Sequence, residues 1–492
     1  MNLSKLLSIL PFYDVSTETD DITISHVVAD SRHAGDGSLF VCVEGFTVDG
    51  HEFVEQAVNN GASAILAEKD VNASVPVIRV PDTTRAMAIL ASRFYGYPTQ
   101  ELPLIGVTGT NGKTTITYLL ESIFNQLNRK AGIIGTIQMK IGQETYPVQN
   151  TTPDALNLQK SFHKMIQENV DTAIMEVSSH ALDMGRVQGC DFDIAVFTNL
   201  SQDHLDYHED MKDYLHAKSL LFAQLGNTYN EEKKKFAVIN KDVPEYTVLE
   251  KSTAQHVMTY GCHGDAQVKA TDISLEITKT TFTMDTPVGS TRINSRLIGK
   301  FNVYNMLAAS AAAICAGVPL DVIKDALESV QGVDGRFQPV DDNQEFATVV
   351  DYAHAPDSLE NVLQTIKEFA ENNVYVVVGC GGDRDKSKRP LMASIALQYA
   401  DQAIFTSDNP RTEDPQAILD DMTDGLDADH YTVIENRQDA IYHAVSLAEK
   451  GDIVLIAGKG HETYQEIGNT QYNFDDREVA KEAIQFKVQH KK

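Results

Sequence analysis

The sequence predicts an α/β protein of three domains built on mostly parallel sheets, and three observations carry that reading. The chain is 492 residues long, several times a typical domain of ~100–150 residues. Short apolar, β-branched runs alternate with stretches of helical period along most of it, the pattern of strands joined by crossover helices. One of those strands opens into a glycine-punctuated loop that ends in Gly-Lys-Thr and starts a helix.

That loop is the sharpest element. Leu104-Ile-Gly-Val107 reads as a buried strand and Thr108-Gly-Thr-Asn-Gly-Lys-Thr114 as the loop. Ile116, Leu119, Leu120, Ile123, Phe124 and Leu127 then recur at helical spacing. Strand, loop and helix in this order build a P-loop, in which backbone N–H groups and the helix N-terminus face a phosphate. Gly109, Thr110, Asn111, Gly112, Lys113, Thr114 and Thr115 are the candidate ATP-binding stretch, with Lys113 as mobile charge and the Thr114 hydroxyl suited to Mg²⁺. The usual spacing asks for glycine where Val107 stands. Gly106 lies one place early, and Gly109 serves as the turn glycine. The alternative is a glycine-rich turn of another α/β domain.

Residues 1–99 read as a small α/β domain, with strands at 38–43, 62–67 and 75–80 and helices at 51–60 and 84–95. The leucine-rich start reads as an amphipathic helix rather than a signal peptide, because its apolar part is short and acidic residues follow at once. Two polar clusters, Asp30-Ser-Arg32 and Gly45-Phe-Thr-Val-Asp-Gly-His51, read equally as caps and turns or as a site. Gly96-Tyr-Pro-Thr-Gln-Glu-Leu-Pro103 reads as a linker.

The second domain is expected over 100–334. Its strands at 172–175 and 194–197 run into Glu176-Val-Ser-Ser-His180 and Thr198-Asn-Leu-Ser-Gln-Asp-His204. Ligands bind at the carboxyl ends of parallel strands, so these groups are expected beside the P-loop. A β-rich excursion (236–240, 257–260, 278–284) precedes an alanine-rich helix after Phe301-Asn-Val-Tyr-Asn305. Gln331-Gly-Val-Asp-Gly-Arg336 marks the next boundary. Residues 335–492 read as a Rossmann-like domain whose strands end in Asp351-Tyr-Ala-His354, Gly379-Cys-Gly-Gly-Asp-Arg-Asp385, Ser407-Asp-Asn-Pro-Arg411 and Gly458-Lys-Gly-His-Glu462, four ends of one polar rim.

A formal net charge of −29 argues against nucleic-acid or anionic-membrane partners, which need a basic face. Five scattered cysteines without a C-x-x-C pair suit a reducing cytoplasm and neither a disulfide framework nor a zinc site. No run reaches the ~18–20 apolar residues of a membrane span. The expectation is a cytoplasmic protein without membrane insertion. Glu176 and His204 offer a carboxylate and an imidazole for a second Mg²⁺ or Mn²⁺, although a strand-end histidine taken singly is more often structural. Arg336, Arg384 and Arg411 lie on loops, placed for bidentate grip of phosphate or carboxylate, or equally for surface ion pairs. The residues by themselves lead to an ATP- and Mg²⁺-dependent enzyme of anionic substrates.

Six motifs in order, Thr108-Gly-Thr-Asn-Gly-Lys-Thr114, Glu176-Val-Ser-Ser-His180, Asn199-Leu-Ser-Gln-Asp-His204, His216-Ala-Lys218, Phe301-Asn-Val-Tyr-Asn305 and Asp351-Tyr-Ala-His354, resemble the Mur ligases of peptidoglycan synthesis over nearly the whole chain. Asp30-Ser-Arg32, Gly50-His51 and Asn150-Thr-Thr-Pro-Asp154 look like the branch that adds the third stem-peptide residue. Asp408-Asn-Pro-Arg411 looks like its meso-diaminopimelate version. The resemblance implies that ATP phosphorylates the D-glutamate γ-carboxylate of a UDP-N-acetylmuramoyl dipeptide, and that an amine of meso-diaminopimelate attacks the acyl phosphate. It implies two Mg²⁺ ions, small-molecule substrates and a monomer.

By the same resemblance Lys113 and Thr114 hold phosphate and the first ion, Glu176 and His204 hold the second, and Lys218 is the lysine carbamylated in the family. Asn302 and Asn305 match adenine-side positions, and Arg336 and Asp351 phosphate- and ribose-side ones. Ser31 and His51 would face the uridine, while Asn150, Thr151, Thr152, Ser178 and Arg186 would hold the sugar and peptide. Met184 stands where some relatives have a glutamine. Arg384, Asp408, Asn409, Pro410, Arg411, Gly458 and Glu462 match the amino-acid pocket, Arg411 gripping the distal carboxylate and Glu462 the distal ammonium. The alternatives are the same ligase using L-lysine, a folylpolyglutamate-type ligase, and an ATP-gated binding protein.

Overall fold

The strand Leu104–Thr108 is buried at every residue and stands inside an eleven-stranded sheet. The computed structural model describes residues 1–490 apart from 18, 46–47, 149, 206 and 277–278. Leu104–Thr108 is flanked in parallel by Thr172–Glu176 and Ile194–Phe197, and the parallel array continues through Ala131–Ile134 on one side and Phe236–Asn240 and His256–Gly261 on the other. Such strands, covered on both faces, need apolar runs rather than alternation, and the central ones, Leu104–Thr108, Thr172–Glu176 and Ile194–Phe197, are buried at every residue.

The β-rich excursion therefore needs correction. Phe236–Asn240 and His256–Gly261 extend the P-loop sheet itself, and an antiparallel meander, Val268–Glu276, Lys279–Thr286 and Gly289–Ser295, carries it to its edge. The sequence shows apolar runs but not pairing partners. The expected strand start, Thr278, lies outside the described residues, as do Phe46 and Thr47 of the second polar cluster.

Helices Lys113–Gln126, Lys300–Cys315 and Leu320–Ser329 pack one face of this sheet, and Ala155–Gln167 and Met211–Ala223 the other. Gly106 belongs to that second face. A Cβ there would come within 2.6 Å of the Phe192 ring, so the glycine one place early in the motif is a packing residue.

Before this sheet stands a five-stranded one, ordered Asp14–Val15, Val77–Arg79, Ala62–Ala67, Ser38–Val41, His26–Val28 and parallel except for its first pair. The helix expected over 51–60 is a 3-10 turn, Gly50–Phe53, followed by Val54–Asn59, and the first helix is only Leu3–Leu7. The stretch 96–103 is folded rather than linker-like. Pro98–Glu101 is a helical turn with Pro98, Thr99 and Leu102 buried. Helix Thr83–Phe94 seats this unit on Ala155–Gln167, where Leu156 joins the N-terminal core and His163 Nδ1 lies 3.1 Å from the Tyr95 carbonyl.

After it comes a six-stranded sheet, ordered Gln338–Pro339, Ala347–Asp351, Ile453–Ala457, Val374–Val378, Gln402–Phe405, Tyr431–Val433. The four strands expected to share a rim are adjacent and parallel, so their carboxyl ends emerge on one side. A hairpin, Tyr464–Ile467 with Thr470–Asn473, was not anticipated.

Candidate active site

The P-loop is stitched to the next strand end. Asn111 N donates to Asn199 Oδ1 at 3.0 Å and Thr198 Oγ1 to the Asn111 carbonyl at 2.6 Å. Gly109 and Gly112 have φ of +142° and +87°, conformations that favour glycine. A Cβ on either would overlap Thr198 Oγ1 or Asn305 Oδ1. Lys113 Nζ folds over the loop, donating to the carbonyls of Gly109 at 3.0 Å and Thr110 at 2.8 Å. Thr115 is buried beneath it.

A second ammonium reaches the same carbonyl. Lys218, 1% exposed, donates to Gly109 O at 2.9 Å and lies 4.2 Å from the centre of the Tyr214 ring. Burial first, and the charge of Lys113 second, push its pKa well below the ordinary lysine value. Tyr214 also bonds Thr110 Oγ1, at 3.2 Å.

Glu176 ends its strand buried against the loop. Its Oε2 accepts from Thr114 Oγ1 and Thr136 Oγ1, both at 3.0 Å, and its Oε1 from Thr136 N at 2.8 Å. Arg336 Nη2 comes from the C-terminal side to Thr114 Oγ1 at 3.3 Å, its guanidinium 4.7 Å from the Tyr352 ring centre. Asn302 Oδ1 accepts from Asn305 Nδ2 at 3.1 Å, and Asn305 touches Gly112. Asp351 is a brace behind Arg336. Its oxygens accept from Phe337 N at 2.7 Å and Ala353 N at 2.8 Å, and burial raises its pKa.

His204 sits on the Tyr214 side, half-exposed at φ +56°, its ring 4.8 Å from that of His180. Among the described residues no three His, Cys, Asp or Glu gather as a ready-made metal cage. The Thr114 hydroxyl and the Glu176 carboxylate nevertheless fit Mg²⁺, which takes one or two carboxylates plus substrate phosphate oxygens rather than an all-protein shell.

Thr151, Thr152, Ser178 and Arg186 meet beside Glu176. Thr152 Oγ1 donates to Glu176 O at 2.9 Å and accepts from Ser178 N at 3.1 Å, while Arg186 Nη1 donates to Thr152 O at 3.1 Å. Thr151 Oγ1 lies 3.1 Å from Thr136 Oγ1, and Asn150 is exposed. Met184 Sδ takes Arg186 Nη2 at 3.6 Å. Ser31 and His51 are engaged within the N-terminal unit. Ser31 Oγ donates to Gln56 Oε1 at 2.7 Å, and His51 joins Asp49 Oδ1 at 2.6 Å to Glu68 N at 3.0 Å.

The C-terminal rim gathers Asp408, Asn409, Pro410, Arg411, Gly458 and Glu462. Asn409 Nδ2 donates to Glu462 Oε2 at 2.9 Å. Lys459, fully buried, donates to Asn409 Oδ1 at 2.8 Å and to Glu462 Oε2 at 2.9 Å. Asp408 Oδ2 is buried beside Gly458 without a hydrogen-bond partner. Arg437, also fully buried, pairs with Asp476 at 2.7 Å and donates to Ala457 O at 3.0 Å, at the root of the Gly458 loop. Arg384 is exposed, and its side chain lies beside Gly381, which Arg411 Nη1 and the Asn409 carbonyl also approach.

With this geometry in view, the comparisons are direct. Three family profiles match in order: Mur ligase family, catalytic domain, at 23–95; Mur ligase middle domain at 107–313; and Mur ligase, glutamate ligase domain, at 335–460. The chain is 62% identical over 491 residues, 99% of this chain and 100% of the other, to a UDP-N-acetylmuramoyl-L-alanyl-D-glutamate--2,6-diaminopimelate ligase of Oceanobacillus iheyensis. The chain belongs to the Mur ligase family. A solved structure titled with the same ligase name is 35% identical, covers 99% of both chains and has a TM-score of 0.71. A Mur ligase of Thermotoga maritima, MurF, solved with ADP, shares the fold at 19% identity, covering 96% of this chain and 100% of that one with a TM-score of 0.66.

Sequence reasoning missed three residues of this candidate site. Thr136 closes a strand end like the others, and that signal could have found it. Tyr214 and Lys459 carry no sequence signal, because their roles come from contacts with residues far along the chain.

Proposed function

We infer that this Mur ligase adds meso-2,6-diaminopimelate to the D-glutamate γ-carboxylate of UDP-N-acetylmuramoyl-L-alanyl-D-glutamate, converting ATP to ADP and phosphate. The observation that carries this reading is the 62% identity over essentially the whole chain to a ligase of that name. The site chemistry supports it. A carboxylate is a poor acylating agent, so its oxygen attacks the γ-phosphorus and ADP leaves. The amine of diaminopimelate then attacks the acyl-phosphate carbonyl, and phosphate departs from the tetrahedral intermediate.

Residues 1–99 would take the UDP-sugar through Ser31 and His51, 100–334 the ATP, and 335–492 the amino acid. Lys113, Arg336 and the loop amides would neutralise the γ-phosphate as it transfers. Thr114 would hold one Mg²⁺, and Glu176 and His204 a second. When bound, these ions offset charge between phosphate and carboxylate. Asn302 and Asn305 would face adenine, Asp351 the ribose, and Asn150, Thr151, Thr152, Ser178 and Arg186 the sugar and peptide. Lys218 as an ammonium would repel both Lys113 and any ion. Carbamylation, in which its neutral amine adds to carbon dioxide and releases a proton, replaces that charge with an anionic oxygen ligand. Arg411, with Arg384, Asp408, Asn409, Pro410, Gly458 and Glu462 around it, would grip the zwitterionic end that distinguishes diaminopimelate from lysine.

We place the protein in the cytoplasm as a monomer. Among the described residues no helix is long and apolar enough to cross a membrane, and the five cysteines are free. Phosphate release with UDP-sugar dipeptide, ATP and each amino acid in turn tests the reading. Diaminopimelate should exceed L-lysine at least about hundredfold in kcat/KM, and a lysine preference would overturn it.

A further inference from the structure

Arg411 does not stand alone in its pocket. Its backbone is left-handed, with φ +50°, an uncommon state for a non-glycine residue that surrounding bonds must hold. Those bonds come from the hairpin Tyr464–Ile467/Thr470–Asn473, beyond residue 460, where the family match ends. Arg411 N donates to Glu466 O at 3.0 Å and Gly468 N to Arg411 O at 2.7 Å. Glu466 N donates to Asn409 Oδ1 at 2.9 Å, and Gln465 Nε2 to Asp408 O at 2.7 Å.

The hairpin also holds the side chain. Glu466 Oε2 accepts from Arg411 Nε at 3.0 Å, and Gly382 O accepts from Nη1 at 2.8 Å. Both partners are mostly covered, with 21% of the Arg411 and 29% of the Glu466 side chain exposed. A guanidinium has five N–H donors in a fixed plane. With Nε and one Nη1 hydrogen engaged, one Nη1 and both Nη2 hydrogens remain, enough for the two parallel bonds with which a guanidinium fork grips a carboxylate.

We propose that Glu466 is a specificity-determining positioning residue, which fixes the Arg411 fork for the distal carboxylate of the incoming amino acid. Its charge also cancels that of Arg411, so that a ligand gains from the fork's geometry rather than from a free positive charge. A guanidinium ordered beforehand loses less side-chain freedom when substrate binds. L-lysine lacks the carboxylate and gains nothing from the fork. Selectivity therefore depends on Glu466 although Glu466 need not touch the substrate.

The inference rests on the diaminopimelate reading of the site. The test uses the full chain, with phosphate release measured against meso-diaminopimelate and L-lysine, for wild type, Glu466→Ala and Glu466→Gln. Glu466→Ala should raise the diaminopimelate KM about tenfold with kcat within about twofold, and lower the preference over lysine by the same factor. Glu466→Gln keeps an acceptor for Arg411 Nε and should stay within about threefold of wild type. Its recovery separates positioning from loss of fold, which would depress kcat and the lysine rate together. Absence of diaminopimelate-dependent turnover by the wild-type chain would overturn the functional reading and this inference with it. Wild-type turnover with an unchanged KM and preference in Glu466→Ala would overturn this inference alone.

Discussion

The phosphate end and the amino-acid end of this molecule each bury a lysine, and they treat it in opposite ways. Lys218 has a carbonyl, an aromatic ring and a second lysine for company. Lys459 has a carboxylate and an amide oxygen, at 2.9 and 2.8 Å. An ammonium out of water is costly unless paired, so Lys459, in contact with a carboxylate, is a compensated structural charge, whereas Lys218 has only the weaker pull of the Asp203 charge. The lesson is that burial alone does not mark a reactive lysine. Burial without a carboxylate in contact does, because it favours the neutral amine that can react.

The sharpest way to break this contrast is Lys218→Ala, expected to lower turnover about thousandfold, ~4 kcal/mol of barrier, with bicarbonate unable to restore it. Near-normal initial rates would remove Lys218 from the chemistry. Lys459→Met is expected to leave Glu462 and Asn409 without their shared donor and to cost about 3 kcal/mol of stability, read from urea midpoints. A midpoint within experimental scatter of wild type would mean that the pair is not structural. Gly109→Ala forces a Cβ onto Thr198 Oγ1 at a φ of +142°. ATP affinity by calorimetry should fall about thirtyfold, ~2 kcal/mol.

The smallest effect concerns pH and the outer wall of the amino-acid rim. Bonds from Arg389 first, then Lys386 and the Asp383 amide, hold the Glu413 carboxyl down from 4.5 to about 2. A depressed folded pKa contributes stability above the unfolded value, lost as pH falls. Melting temperature should therefore decline from pH 4.5 toward about 2, and Glu413→Gln should flatten that slope while lowering the neutral-pH value. An unchanged slope would locate the acid sensitivity elsewhere.

The same two ends differ in how much of them was legible in the sequence. The P-loop was readable because its strand, glycines, lysine and helix are consecutive, so local rules suffice. Glu176 and the four C-terminal strand ends were readable because parallel topology puts such ends together. The bonds that position Arg411 were not. They join residues 408–411 to 465–468, and although Gly468 marks a turn, no local rule says which loop a hairpin will support. Glu462 shows the limit from another side. The family resemblance assigns it to a substrate ammonium, and the bond that Lys459 also makes to its Oε2 is not legible in the sequence. Likewise Phe236–Asn240 looked like an excursion, since apolar character carries no pairing register.

The seam between the two ends has a consequence of a different kind. Arg336 reaches Thr114 across 222 residues of chain, and its neighbour Gly335 lies so close to the Gly460–His461 backbone that a single added carbon would overlap it. The seam is sized for bare backbone. A small molecule that wedged it open would separate the phosphate loop from the amino-acid loop while resembling neither substrate.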